Sequence, residues 1–272
     1  MVFHYSVKDK IDYIIIGNGK TKLLFLHGFG ASYFTWDYII NLFDREKYTI
    51  YLVNLLGHGY SSHNYDSDYS IESQASIVKK FIEFLKINDL IIIGHSYGGS
   101  VSLLLIILHK EFIKVRKLIL IDVGAFPDEI PFFVKYLRNP LLEFFIRIFI
   151  PKNVKAYYTL TKLYFDKDLI SEERIKRYSK FYCYKQWKVI VKAAKQIIPI
   201  NYKNIINDYI NINIPVLIIW GQNDKAITLN TGKKLNIELS NSKLEIINKC
   251  GHIPHEEKPE ETFRLITDFL KS

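Results

Sequence analysis

The sequence predicts an α/β fold, with a mostly parallel central sheet flanked by helices and a helical segment inserted between two of its strands. Three observations predict it. Short continuous apolar runs alternate with amphipathic stretches of helical spacing, as in strands buried on both faces and joined by crossover helices. The candidate reactive residues fall just past the carboxyl ends of those runs, where open parallel sheets bind ligands. The interval between the run at Lys117 and the run at Pro215 spans about ninety residues, far too long for a simple connection.

Taken in order, Phe3 to Val7 and Ile11 to Ile16 read as a hairpin, and Lys22 to Leu26 as a strand followed by a helix over Phe34 to Phe43. Tyr48 to Asn54 is a further strand. Ile71 to Lys86 is an amphipathic helix whose stripe is Ile71, Ala75, Val78, Ile82 and Leu85. The run Leu90 to Ile93 leads through Gly94-His95-Ser96-Tyr97-Gly98-Gly99 into a helix at Ser100 to His109. Strands at Lys117 to Ile121, Pro215 to Trp220 and Lys243 to Asn248 complete the sheet. Pro127, Pro131, Pro140, Pro151 and Pro199 punctuate the long interval into helical pieces. The expected organisation is therefore a core of residues 1–125 and 206–272 with a helical cap at 126–205. Its aromatics Phe132, Phe133, Phe144, Phe145, Phe149, Tyr157, Tyr158, Tyr164 and Trp187 are expected to roof an apolar pocket.

The turn at Ser96 carries the chemistry. A strand-to-helix turn tight enough to expose a serine hydroxyl demands small neighbours, supplied by Gly94 and Gly98. The free N–H groups and positive dipole end of the following helix favour negative charge developing beside Ser96. A serine is a weak nucleophile at neutral pH and needs a base, itself oriented by an acid. Asp224 follows the Pro215 strand, and His252, after Gly251, follows the Lys243 strand. The order Ser, Asp, His is the one expected of this turn. Asp122, at the end of the Lys117 strand, is the competing acid, and Asp224 is preferred. After Lys22 to Leu26, His27-Gly28-Phe29-Gly30 offers the Phe29 backbone N–H as one oxyanion donor, with that of Tyr97 as the other. His27 itself is expected to pack and hydrogen-bond within its loop, and His58, His95 and His255 to support the site without reacting.

With these motifs in view, the chain resembles the α/β-hydrolases, in the capped esterase/lipase-like group. The resemblance rests on Leu26-His27-Gly28-Phe29-Gly30-Ala31-Ser32, Asn54-Leu55-Leu56-Gly57-His58-Gly59-Tyr60-Ser61, the Ser96 turn, Trp220-Gly221-Gln222-Asn223-Asp224 and Gly251-His252-Ile253-Pro254-His255-Glu256. The second departs from the family, which usually has Asp and Pro where this chain has Asn54 and Leu56. The family's dehalogenases and epoxide hydrolases use Asp as nucleophile, and Ser96 argues against both. The resemblance implies a serine hydrolase of carboxylic esters with Ser96, His252 and Asp224 as its triad, needing neither cofactor nor metal, with Phe29, Tyr97, Phe126 and Trp187 around the substrate. Sharing the same triad are thioesterases, acyltransferases, carrier-protein methyl ester esterases, C–C bond hydrolases and cofactor-free perhydrolases. A ligand sensor on the same fold is the reading from outside enzymes.

Composition bounds the remaining classes. At 272 residues and 49% hydrophobic content, one large domain with a sizeable core is expected. Two cysteines, Cys183 and Cys250, make no disulfide framework and point to a reducing cytoplasm. Met1 to Lys10 lacks the apolar core of a leader peptide. No apolar stretch is long and uninterrupted enough to span a bilayer. The net charge of +9 lies in one place: residues 126–205 hold 16 Lys and Arg against 7 Asp and Glu, while the rest hold 21 of each. That asymmetry suits an anionic partner at the pocket mouth, such as an acyl carrier protein, an anionic lipid surface or a carboxylated substrate. Nothing resembles a nucleic-acid-binding motif.

Overall fold

The computed structural model describes every residue except Tyr5, Val7, Lys8 and Glu129, and of Tyr184 only the backbone. Strands β1 (Val2–His4), β2 (Lys10–Ile16), β3 (Thr21–Leu26), β4 (Tyr48–Val53), β5 (Leu90–His95), β6 (Val115–Ile121), β7 (Val216–Gly221) and β8 (Ser242–Ile247) form one sheet. Its order is β1-β2-β4-β3-β5-β6-β7-β8. The pairs β1–β2 and β2–β4 are antiparallel, and every other neighbouring pair is parallel. The expected first strand runs to Val7, which lies outside the described residues.

Helix α1 (Asp37–Ile40) precedes β4, while α2 (Ile71–Phe84) and α3 (Tyr97–His109) bracket β5. Between β6 and β7 the chain leaves the sheet for α4 (Phe132–Arg138), α5 (Pro140–Phe149), α6 (Lys152–Leu163), α7 (Glu172–Ser179), α8 (Tyr184–Lys195) and α9 (Tyr202–Asn207). Helix α10 (Leu229–Glu238) joins β7 to β8, and α11 (Pro254–Glu257) and α12 (Pro259–Lys271) follow.

The apolar runs are explained by the two-sided burial of the sheet. Successive strand residues point to opposite faces. Leu24, Leu26, Ile92, Leu118, Leu120, Ile218 and Trp220 join one core with α2, α3 and α10. Leu23, Phe25, Ile91, Ile93, Ile119, Ile121, Leu217 and Ile219 join the other with α1 and α12. Each fully buried aliphatic chain contributes about 1.5–3 kcal/mol, which is why strands of this kind carry no polar alternation. Helix α2 buries Ile71, Ala75, Val78 and Ile82 as expected, with Leu85 half-buried at its C-cap. It starts at Ser70, whose hydroxyl accepts from the Ser73 N–H at 3.2 Å.

One element differs from expectation. In place of a helix over Phe34 to Phe43 there is a 3₁₀ turn, Tyr33–Trp36, then the single turn of α1. Tertiary contacts explain it: Trp36 is buried under the His255 ring, with centroids 4.2 Å apart, and the Thr35 hydroxyl donates to Glu256 Oε1 at 2.5 Å. Asn54, where the resemblance leads one to expect Asp, donates to Asp12 Oδ2 at 2.9 Å and accepts from the Tyr33 N–H at 2.9 Å. An aspartate there would set a second carboxylate against Asp12.

Candidate active site

Ser96 sits between β5 and α3 at φ 50°, ψ −116°. This left-handed backbone costs a non-glycine residue about 1–3 kcal/mol and persists only where its surroundings enforce it. They do so on both sides. The Ser96 N–H donates to Ile121 O at 2.9 Å, and Ser96 O accepts from the Ser100 N–H at 3.1 Å. A Cβ on Gly98 would lie 2.2 Å from Leu26 O, and one on Gly94 would lie 2.6 Å from the Gly99 Cα. No larger residue fits at either position without moving α3 away from β3 and β5.

The structure brings Ser96, His252 and Asp224 together. Ser96 Oγ lies 3.0 Å from His252 Nε2, and His252 Nδ1 lies 2.6 Å from Asp224 Oδ2. Asp224 is fixed in the turn after β7, where its Oδ1 accepts from the Ala226 and Ile227 N–H groups at 2.7 and 3.0 Å. His252 is held through its own backbone: its N–H donates to Leu163 O at the end of α6 (2.7 Å), and its carbonyl accepts from His95 Nε2 (2.8 Å).

Asp122 does not reach His252 as a partner. Its Oδ1 accepts from the Gly221 N–H at 3.0 Å. It is fully buried beside Asp224, and burial together with that neighbouring charge holds its carboxyl well above the usual carboxylate range. Asp122, Asp224 and His252 are the one group of three His, Cys, Asp or Glu among the described residues whose ligand atoms lie within 4.8 Å of one another. The 2.6 Å contact within it is a hydrogen bond, shorter than two ligands of one metal ion would sit.

The backbone N–H groups of Phe29 and Tyr97 donate to no other group among the described residues. Both residues line a narrow apolar cavity of about 80 Å³ that reaches Ser96 and is also walled by Phe126, Phe133, Ile205 and Ile227. Trp187 lies elsewhere. With the other side of Phe29 and with Phe133 it borders a second cavity of about 300 Å³ among α4, α5, α6 and α8, which does not include Ser96. The stacked rings of Phe29 and Phe133, 6.2 Å between centroids, stand between the two. Of the aromatics expected to roof the pocket, Phe132, Phe133, Tyr158 and Trp187 line these cavities. Phe144, Phe145, Phe149 and Tyr157 line neither and face solvent, because their helices turn those sides away from the sheet. Tyr164 is buried, but its hydroxyl donates to Glu256 Oε2 at 2.5 Å.

The sequence assigns no role to Glu256, the last residue of the His252 motif, or to Glu257. Buried Glu256 accepts from Thr35, Tyr164 and Tyr178 hydroxyls, and Glu257 from the Phe165 and Gly251 N–H groups. Burial pushes the Glu256 carboxyl up, and those three hydroxyls pull it back. Together the two side chains bind the His252 loop to the inserted helices. Their adjacency to His252 was the available signal, but most of their partners lie far away in the sequence, Tyr164 and Phe165 at 92 residues and Thr35 at 221.

The supporting histidines are buried and neutral. His27 Nε2 accepts from the Leu55 N–H (3.1 Å), and burial lowers its pKa from 6.5 to about 4. Burial also puts His58, His95 and His255 well below the usual range. Below pH 6.5 the unfolded chain binds protons that the native chain refuses. The contribution of these groups is thus full above 6.5 and is lost as pH drops below it, for His27 toward about 4. A melting temperature that drops steeply between pH 6.5 and 4 is expected in a thermal scan, and His27→Gln should flatten part of the drop.

The family model for the alpha/beta hydrolase fold matches residues 22–259. The chain belongs to the α/β-hydrolase fold family. This α/β hydrolase is 30% identical over 254 residues to the uncharacterized hydrolase YugF of Bacillus subtilis, covering 93% of this chain and 91% of YugF. It is 24% identical over 277 residues to mouse monoacylglycerol lipase ABHD6, covering 93% and 76%. A solved structure of an alpha/beta hydrolase fold protein from Burkholderia ambifaria superposes with a TM-score of 0.86 at 22% identity, over 98% of this chain and 97% of that one. No helix of this hydrolase, among the described residues, is long and apolar enough to cross a membrane.

Proposed function

We propose that this α/β hydrolase cleaves a carboxylic ester through an acyl-enzyme formed on Ser96. The observation that carries the reading is the chain of contacts Ser96 Oγ–His252 Nε2 at 3.0 Å and His252 Nδ1–Asp224 Oδ2 at 2.6 Å, opening onto an apolar cavity. His252 Nε2 takes the Ser96 proton as Oγ attacks the ester carbonyl. The Phe29 and Tyr97 N–H groups receive the oxyanion, each donor worth about 3–4 kcal/mol to the transition state. His252 then protonates the leaving alcohol, and water, deprotonated by the same histidine, releases the acid. Asp224 fixes the tautomer with the proton on Nδ1 and stabilises the imidazolium. No step calls on a metal or an organic cofactor. Phe126, Phe29 and Tyr97 contact the acyl or alcohol group, while Trp187 acts at one remove through the second cavity. Residues 126–205 serve as a cap over a core of residues 1–125 and 206–272, excluding water from the reacting ester.

Hydrolysis of p-nitrophenyl esters from acetate to palmitate, with wild type and Ser96→Ala side by side, tests the reading. Ser96-dependent multiple turnover with a chain-length optimum is expected, the optimum sizing the cavity. A burst of about one equivalent followed by a stall would point to a sensor. Absence of Ser96-dependent release at every chain length would overturn the ester reading.

A further inference from the structure

Helix α5 is amphipathic in the inverse sense. Its polar residues face the protein, where Glu143 accepts from Trp187 Nε1 at 2.7 Å and from Arg147 Nε at 2.9 Å. Ile146 packs inward against the second cavity, but the other face is apolar and turned outward: Leu141 is 67% exposed, Phe145 50%, Ile148 53% and Phe149 65%. None of its residues is buried. Water alone does not sustain such a face, and contiguous apolar patches of this kind mark interaction sites. A basic rim surrounds it. Lys135, Arg138 and Lys152 are exposed at its two ends. Residues 131–163 hold six Lys and Arg against one acid, Glu143, which is turned inward.

We propose that this face rests on an anionic phospholipid surface. The leucine and phenylalanine side chains of α5 sink among the acyl chains, and Lys135, Arg138 and Lys152 meet the headgroup phosphates. An apolar stripe within a cationic rim suits a helix lying in the membrane plane, and at ten residues α5 is too short to cross a bilayer. A second copy of the chain is the poorer occupant, because a two-fold contact would set one cationic rim against another. The patch continues into the second cavity, since exposed Val154 and Tyr158 are also among its lining residues. A docked protein thus presents that cavity to the lipid, and an apolar tail can enter without crossing water. The docking uses no part of the Ser96 chemistry and stands or falls separately from it.

Co-sedimentation of the full chain with phosphatidylcholine vesicles, alone or with about 30 mol% phosphatidylserine, tests the proposal. Binding to the anionic vesicles is expected, at least about tenfold stronger than to the neutral ones, weakening in high salt. Phe145→Ser with Phe149→Ser should lose at least about tenfold in binding. Lys135→Glu with Arg138→Glu and Lys152→Glu should lose the preference for phosphatidylserine. Both variants should keep the wild-type melting temperature and rate on a soluble short-chain ester, since none of these residues lines the Ser96 cavity. Wild type left in the supernatant with anionic vesicles overturns the proposal, as does equal binding to both vesicle types or undiminished binding by the Phe145/Phe149 variant. A wild-type dimer that the same variant splits, with no vesicle binding, would assign the face to a second copy instead.

Discussion

Replacing Ser96 by alanine is expected to lower kcat/KM on an ester by about 10⁴- to 10⁶-fold while the fold survives. The loss is large because the attacking oxygen disappears and His252 Nε2, 3.0 Å away, is left with nothing to deprotonate. The fold survives because alanine bears the same positive-φ backbone as serine does. The contacts that enforce it, Ser96 N–H to Ile121 O and Ser100 N–H to Ser96 O, are made by the main chain. Kinetics and a thermal melt on the same preparation check both halves. A variant that keeps more than about one hundredth of wild-type kcat/KM, with esterase contaminants excluded, would remove Ser96 from the mechanism.

Asp224→Asn is expected to reduce kcat by about 10⁴-fold, whereas Asp122→Asn should stay within about tenfold of wild type. The two carboxyls are buried neighbours, yet they differ in what they meet. Asp224 Oδ2 accepts the His252 Nδ1 proton at 2.6 Å, and an amide placed there can donate, forcing the imidazole into the tautomer that cannot accept from Ser96. Asp122 accepts from the Gly221 N–H and makes no hydrogen bond to His252, and burial beside Asp224 holds its carboxyl well above the usual range. An asparagine keeps that acceptor with its carbonyl oxygen and adds no charge beside Asp224. Initial rates of the two variants across pH 6 to 9 check this. Equal losses in both would mean that the acid function is shared between the two carboxyls.

The order of strands and helices was legible because it is written in local periodicity. A run such as Leu90 to Ile93 has no polar residue because both faces of β5 are buried, and that demand acts on each residue separately. The Ser96 turn was legible for the same reason: a tight turn between a strand and a helix requires small residues at fixed offsets, and Gly94 and Gly98 stand there. The region Phe34 to Phe43 departs from its helical expectation because the packing of Trp36 under His255 and the bond from Thr35 to Glu256 tighten it into a 3₁₀ turn.

The sequence by itself determined the α/β core, the strand ends at which Ser96, Asp224 and His252 lie, and the concentration of positive charge between residues 126 and 205. These depend on periodicity, turn chemistry and composition, all properties of short segments. Only the tertiary structure decided which aspartate meets His252, which side of Phe29 faces Ser96, and that Glu256 and Glu257 fasten the His252 loop to the inserted helices. It also decided that α5 turns Glu143 and Arg147 inward and its phenylalanines outward. Helical spacing marks two faces of different polarity but does not say which one meets the protein. That choice follows from partners such as Trp187, brought to α5 only when the chain has folded.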